Sequence, residues 1–99
     1  LTANSQPQVQ NIATILNAYP NAKIKIGGYT DKTGNAAANK QLSQQRADAV
    51  KNAIIAAGAK SGQIVGAEGY GSEFAKVDAG ASDEERRTDR RIAVQLRDK

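Results

Sequence analysis

Apolar residues recur along this chain with two alternating periods. Val9, Ile12, Leu16 and Tyr19 keep the three- and four-residue spacing of a helix face, and the stripe stops at Pro20. Ser5 with Gln8 reads as a capping box ahead of it, with Pro7 tolerated in the first turn. The period then drops to two: Lys23 to Tyr29 alternates as a strand, with Ile24 and Ile26 on one face. Thr30 to Ala38 is a loop. A second helix is predicted from about Asn39 to Ala57, with Gly58 as its C′ residue. Gln63 to Tyr70 reads as a weaker strand whose glycines signal a bend or close packing. After a loop from Gly71 to Ala81, Ser82-Asp83-Glu84-Glu85 matches a capping box and opens a helical turn to about Thr88. Arg91 to Leu96 alternates again, with Ile92, Val94 and Leu96 expected to face inward.

Helix, strand, helix, strand, strand makes a two-layer α/β sandwich: a small mixed sheet under two main helices. A strand ahead of the first helix, which would complete a βαβ unit and cover a sheet edge, is missing from the pattern. The second helix contains an anomaly. At 100° per residue, with Leu42 at zero, Ala53, Ala57, Val50 and Ile54 fall at about 20°, 60°, 80° and 120°. Arg46 falls at about 40°, inside that stripe. Burying a guanidinium is costly unless it is paired and hydrogen-bonded. Arg46 therefore snorkels to solvent, pairs with an internal acid or binds a ligand carboxylate, and the pattern leaves all three open.

Ninety-nine residues, 39% hydrophobic and 24% charged, suit one small globular domain spanning 1–99. No apolar run reaches membrane-spanning length, and an opening of Leu-Thr-Ala-Asn reads as a piece of a longer parent. With no cysteine there are no disulfides or thiolate metal sites, and with no histidine the usual general base and metal ligand are missing. These absences argue against a hydrolase or a metalloenzyme, and neither metal nor cofactor is expected. The net charge of +4 is uneven: Arg86, Arg87, Arg90, Arg91 and Arg97 crowd the C-terminal end among Asp83, Glu84, Glu85 and Asp89. Nucleic-acid binding would want stacking aromatics inside that cluster, and Tyr19, Tyr29, Tyr70 and Phe74 all lie outside it. The mixed signs read as a salt-bridged turn, with Arg90 and Arg91 satisfied by Asp89 and the glutamates.

Gly28-Tyr29-Thr30-Asp31-x-x-Gly34, followed by Asn39-x-x-Leu42-Ser43-x-x-Arg46-Ala47-x-x-Val50-x-x-x-Ile54, closely resembles the motif of the OmpA-like C-terminal domain. Gly69-Tyr70-Gly71 and Asp89-Arg90-Arg91-Ile92 extend the match over nearly the whole chain. Three positions depart from it: the family usually has His at Tyr29, Asn at Asp89 and Gly at Glu85. The family's first strand also has no counterpart. It would lie beside the final strand, so 91–96 is expected to keep an unpaired side, which predicts either reduced stability or an edge completed by another chain or by a second copy of this one.

The resemblance implies non-covalent binding of peptidoglycan through the diaminopimelate of its stem peptide, without catalysis, in the periplasm of a diderm bacterium. Attachment to the outer, or less often the inner, membrane would come only through the parent protein. Asp31 matches the family's acid and would accept from the ligand's ammonium. Arg46 matches the family's base and would donate a bidentate fork to the carboxylate of the same carbon. Thr30 would orient Asp31 or donate to the ligand, Asn39 hold the loop or touch the stem peptide, Leu42 shape the pocket wall, and Gly34 supply a positive φ. Each also has a plainer role: Thr30 as a strand end, Asp31 as an Asx-turn former, Asn39 as a cap and Leu42 as core. The competing function is a protein-interaction or assembly domain that keeps the fold without the ligand.

Overall fold

The computed structural model describes residues 6–97, so the Ser5–Gln8 pairing lies outside the described residues. Helix α1 spans Gln6–Ala18, strand β1 Lys23–Tyr29, helix α2 Ala36–Ala56, strand β2 Ile64–Gly71, the short helix α3 Asp83–Arg86 and strand β3 Arg91–Arg97, with a 3-10 turn at Ser61–Gln63. The sheet order is β2-β1-β3, with β1 parallel to β2 and antiparallel to β3. Thus β1, α2 and β2 form the βαβ unit that a parallel neighbour requires.

One aliphatic cluster joins the layers. Val9, Ala13 and Leu16 of α1, Ile24 and Ile26 of β1, and Ala47, Val50 and Ile54 of α2 are buried together, and Ala59 and Ile64 complete the cluster. The first stripe is therefore the inward face of α1 up to Leu16. Tyr19 falls past the helix end and is exposed. Gln63 was assigned to strand from its sequence; it is instead a buried amide in the 3-10 turn. It donates to the carbonyls of Leu16 (2.8 Å), Tyr19 (3.0 Å) and Ala22 (3.2 Å). The Leu16 carbonyl, in the last turn of α1, has no partner within the helix, and the Gln63 amide supplies one while tying down the turn that leads to β1.

Helix α2 departs from the expected register in two ways. It begins at Ala36 rather than near Asn39, because Asn35 is the N-cap and its side chain accepts from the Ala38 N–H at 3.0 Å. Its end is as expected, with Gly58 just past it at φ +119°. The second departure concerns the buried face. Ser43, Ala47, Val50 and Ile54 are the buried residues, at about 100°, 140°, 80° and 120° on the same wheel. Leu42 is 40% exposed and Arg46 is exposed. The reason is close approach. A Cβ at Gly28 would collide with the Ser43 carbonyl, and one at Gly69 with the Gln44 backbone. The helix therefore sits on the sheet through its smallest residues rather than its largest. The Ser43 hydroxyl accepts from the Gly71 N–H (2.9 Å) and donates to the Lys40 carbonyl (2.8 Å). The Gln44 amide donates to the Ala67 carbonyl and accepts from the Gly69 N–H, both at 2.8 Å, and so occupies the backbone of β2.

Strand β3 pairs with β1 from Lys23↔Arg97 to Tyr29↔Arg91, and among the described residues its other edge has no partner strand. Only Ile92 packs on the core; Val94 is 38% exposed and Leu96 71% exposed, which corrects the inward assignment of both. Alternation chose the correct face, but at the far end of β3 Leu96 borders an open apolar pocket beside the end of α1, with Ile15, Ala18 and Tyr19, rather than packing into the core.

Candidate functional site

Strand β1 ends at Tyr29, and the Thr30 N–H donates to the Gly71 carbonyl at 2.8 Å, carrying the parallel pairing one residue past the strand. Asp31 comes next, at the carboxyl end of the central strand, where open α/β sheets place ligands. Its side chain is fixed by the loop that follows. Oδ1 accepts from the Thr33 N–H at 2.9 Å and from the Thr33 hydroxyl. Gly34 turns the chain at φ +79° with open space around it. The Asn39 amide reaches back from the first turns of α2 to the carbonyls of Thr33 (2.7 Å) and Asp31 (3.4 Å). Asn39 holds the loop, then, and the helix cap is Asn35. Thr30 is buried and its hydroxyl donates to the Asp31 carbonyl at 3.1 Å.

The other carboxylate oxygen of Asp31 faces the C-terminal arginines. Arg86 Nη1 lies 3.3 Å from Oδ2 and Arg90 Nε lies 3.6 Å from it. Ser82 caps α3 and its hydroxyl accepts from the Glu85 N–H at 3.2 Å, as the motif predicts; Arg86 ends that helix and Arg90 lies just past the turn that follows it. Asp83 holds the same pair from outside, with Arg90 Nη2 at 2.7 Å and Arg86 Nη2 at 3.9 Å. Asp31 is 3% exposed. The Thr33 hydroxyl first, then the Thr33 amide and the two guanidiniums, hold its carboxyl below the usual range despite burial. Its environment is built for a negative charge.

The assignment of Arg90 and Arg91 to Asp89 and the glutamates is corrected. Arg90 pairs with Asp83 and Asp31, while the Arg91 guanidinium stacks 4.2 Å over the Tyr29 ring. Asp89 is held by backbone instead: Lys76 N–H at 3.1 Å from both oxygens and Val77 N–H at 2.9 Å from Oδ2. Sequence reasoning did not connect Arg86 and Arg90 with Asp31. Arg86 lies in α3 and Arg90 beyond it, and their shared partner lies 55 positions away from Arg86 in the chain.

Arg46 makes no ion pair among the described residues. On the helix wheel it and Asn39 share a side, at about 40° and 60°, with Arg46 about 10 Å further along the axis. Cα–Cβ bonds tilt toward a helix N-terminus, and the N-terminus of α2 is the end that meets the Asp31 loop. Among the described residues no group of three His, Cys, Asp or Glu is placed to hold a metal ion, and no helix is long and apolar enough to cross a membrane.

The OmpA family model matches residues 1–91 of this sequence. The chain belongs to the OmpA family. Outer membrane porin F of Pseudomonas fluorescens is 37% identical over 93 residues, covering 94% of this chain and 28% of that protein. Outer membrane protein P5 of Haemophilus influenzae is 41% identical over 75 residues, covering 70% of this chain and 20% of that protein. The OmpA-family chain thus spans under a third of these relatives. Among solved structures, the peptidoglycan-associated lipoprotein of Burkholderia pseudomallei superimposes with a TM-score of 0.88 at 29% identity, covering 98% of this chain and 80% of that one. The C-terminal domain of Helicobacter pylori MotB shares the fold, with a TM-score of 0.83 at 23% identity, over 98% of this chain and 74% of that one. OmpA-like domains of this kind are structural modules rather than enzymes.

Proposed function

We propose that this OmpA-family domain anchors the bacterial envelope to peptidoglycan, and that Asp31 and Arg46 hold the diaminopimelate of the stem peptide. The observation that carries the reading is the state of Asp31. A buried, ionised carboxylate sits at the end of the central strand, and its Oδ2 is satisfied only by side-chain cations. An ammonium can exchange with a guanidinium there, because both donate charged N–H groups to the same oxygen. Arg46, exposed and without an ion pair among the described residues, lies on the same side of α2 as Asn39 and supplies the planar fork that a carboxylate on the same carbon requires. Thr30, Asn39 and Gly34 keep the Asp31 loop in shape, and half-exposed Leu42 forms the apolar wall between the two charges.

The relatives agree in kind. Two are named as outer membrane proteins, and a structural neighbour is named as a peptidoglycan-associated lipoprotein. We place the domain in the periplasm on that basis, tethered through its parent. The unpaired β3 edge offers backbone donors and acceptors to a second copy, which sedimentation equilibrium tests directly.

Pull-down on purified sacculi decides the wall-binding reading. Asp31→Ala and Arg46→Ala are each expected to lose about 2–5 kcal/mol of binding, the usual cost of removing one partner of a desolvated charge pair. Both variants should stay folded by circular dichroism. Full retention by either one removes that residue from the site, and retention by both sinks the assignment.

A further inference from the structure

The sheet face turned away from the helices carries a second constellation, separate from the Asp31 loop. Register sets Lys25, Gly27 and Tyr29 of β1 beside Gln95, Ala93 and Arg91 of β3. The Tyr29 and Tyr70 rings stack with centroids 5.4 Å apart and planes 26° apart, and Phe74 stands edge-on to both. These are three of the four aromatic residues in the chain. The core is entirely aliphatic, while the rings gather where no helix covers them, and Phe74 is 52% exposed. They lean over Gly27, where a Cβ would lie 3.1 Å from the Tyr29 ring and 3.2 Å from the Tyr70 ring. Arg91 and Lys25 brace the outer ring faces at 4.2 Å and 5.5 Å. The result is an open depression of about 150 Å³ lined by Gly27 and Ala93, the three rings, Lys25 and Gln95.

We propose that this depression binds one saccharide ring of the glycan strand, an N-acetylated amino sugar, while the Asp31 site takes the stem peptide. The choice of a sugar over another flat ligand rests on the wall-binding reading above. A pyranose presents C–H groups on its faces and hydroxyls on its rim. The C–H hydrogens carry slight positive charge and are attracted to the negative π-system of an aromatic ring, here that of half-exposed Phe74, because the tyrosine faces are taken by each other and by the two cations. The rim needs donors and acceptors at the edge of the same depression, and Lys25, Gln95 and the tyrosine hydroxyls supply them. A depression this small suits a single ring better than the broad patch of a protein interface. The two sites are also joined through the backbone. Arg90 reaches Asp31 and the next residue, Arg91, covers Tyr29, so one polymer can engage both.

The test is an NMR titration of the chain with the β-1,4-linked tetramer of N-acetylglucosamine, a glycan without peptide. Saturable shifts are expected at the amides of Gly27, Tyr70, Phe74 and Ala93, with those of Asp31 and Arg46 unmoved. Phe74→Ala, on an exposed loop side chain, should weaken tetramer binding about tenfold. Gln95→Ala gives a second, fold-neutral variant expected to weaken it in the same direction. Neither variant should alter a parallel titration with free diaminopimelate at Asp31. No saturable shift on the open face, or shifts indifferent to both substitutions, overturns the sugar site, whatever diaminopimelate does. A failed diaminopimelate titration with intact tetramer binding sinks the Asp31 reading and leaves this one standing.

Discussion

Asp31 and Asp89 are equally buried, at 3% exposure each, and both are held below the ordinary carboxylate range. Their partners differ in kind. Asp89 takes the backbone N–H groups of Val77 and Lys76, which belong to the chain's own path and have nowhere else to go. Asp31 takes one backbone N–H and one hydroxyl on Oδ1, but on Oδ2 only the ends of two long side chains, each with an alternative partner in Asp83. A carboxylate closed by backbone is a fastener for the 72–80 loop. One closed by exchangeable cations can release them to an incoming ammonium at little cost, since Asp83 retains them. Burial and pKa alone do not separate the two; the nature of the donors does.

The largest expected effect comes from Asp31→Ala: nearly all sacculus binding is lost, and stability in urea also falls, by about 1–3 kcal/mol, because the Thr33 N–H and hydroxyl lose their acceptor. Binding retained in this variant would break the comparison. Asp89→Ala should cost stability alone. Two backbone donors lose a shared acceptor, which costs about 1–3 kcal/mol and shows as a lower urea midpoint. The folded fraction should bind sacculi as before. Asp89→Asn keeps an acceptor oxygen and sharpens the contrast: the loss should shrink to roughly 1 kcal/mol or less, read from the same denaturation curve.

The smallest effect is with pH. Asp31, Asp83 and Asp89 all have folded pKa values held below the ordinary carboxylate value. The unfolded chain therefore binds protons first as pH falls, and the stabilisation is complete above the unfolded pKa. It should fade as pH falls below about 4, through the folded values. Asp89→Asn should flatten part of that decline in acid-dependent melting.

Much of the frame was legible in the residues. The bounds of β1 are those its alternation predicts, and Gly58 and Ser82 do mark a helix end and a helix start. What failed has one physical origin: contacts made by something other than a large apolar side chain. The wheel of α2 was weighted by Leu42 and Ala53, yet the helix turns toward Gly28 and Gly69, where the missing Cβ atoms admit Ser43 and Gln44. A hydrophobic pattern cannot register an atom that is absent. Arg46, which looked misplaced on a buried stripe, is exposed once the true face is known. On β3, alternation cannot tell where a covering helix ends, so Leu96 was assigned inward.

By itself the sequence determined the order of the elements, the Ser82 cap, the Gly58 helix end and the family motif, since periodicity and capping depend on neighbours within a few residues. Tertiary structure alone decided which side of α2 meets the sheet, which arginines close on Asp31, and that the aromatic rings stand outside the core. Each of these depends on groups brought together from distant parts of the chain, and no local spacing encodes such a meeting.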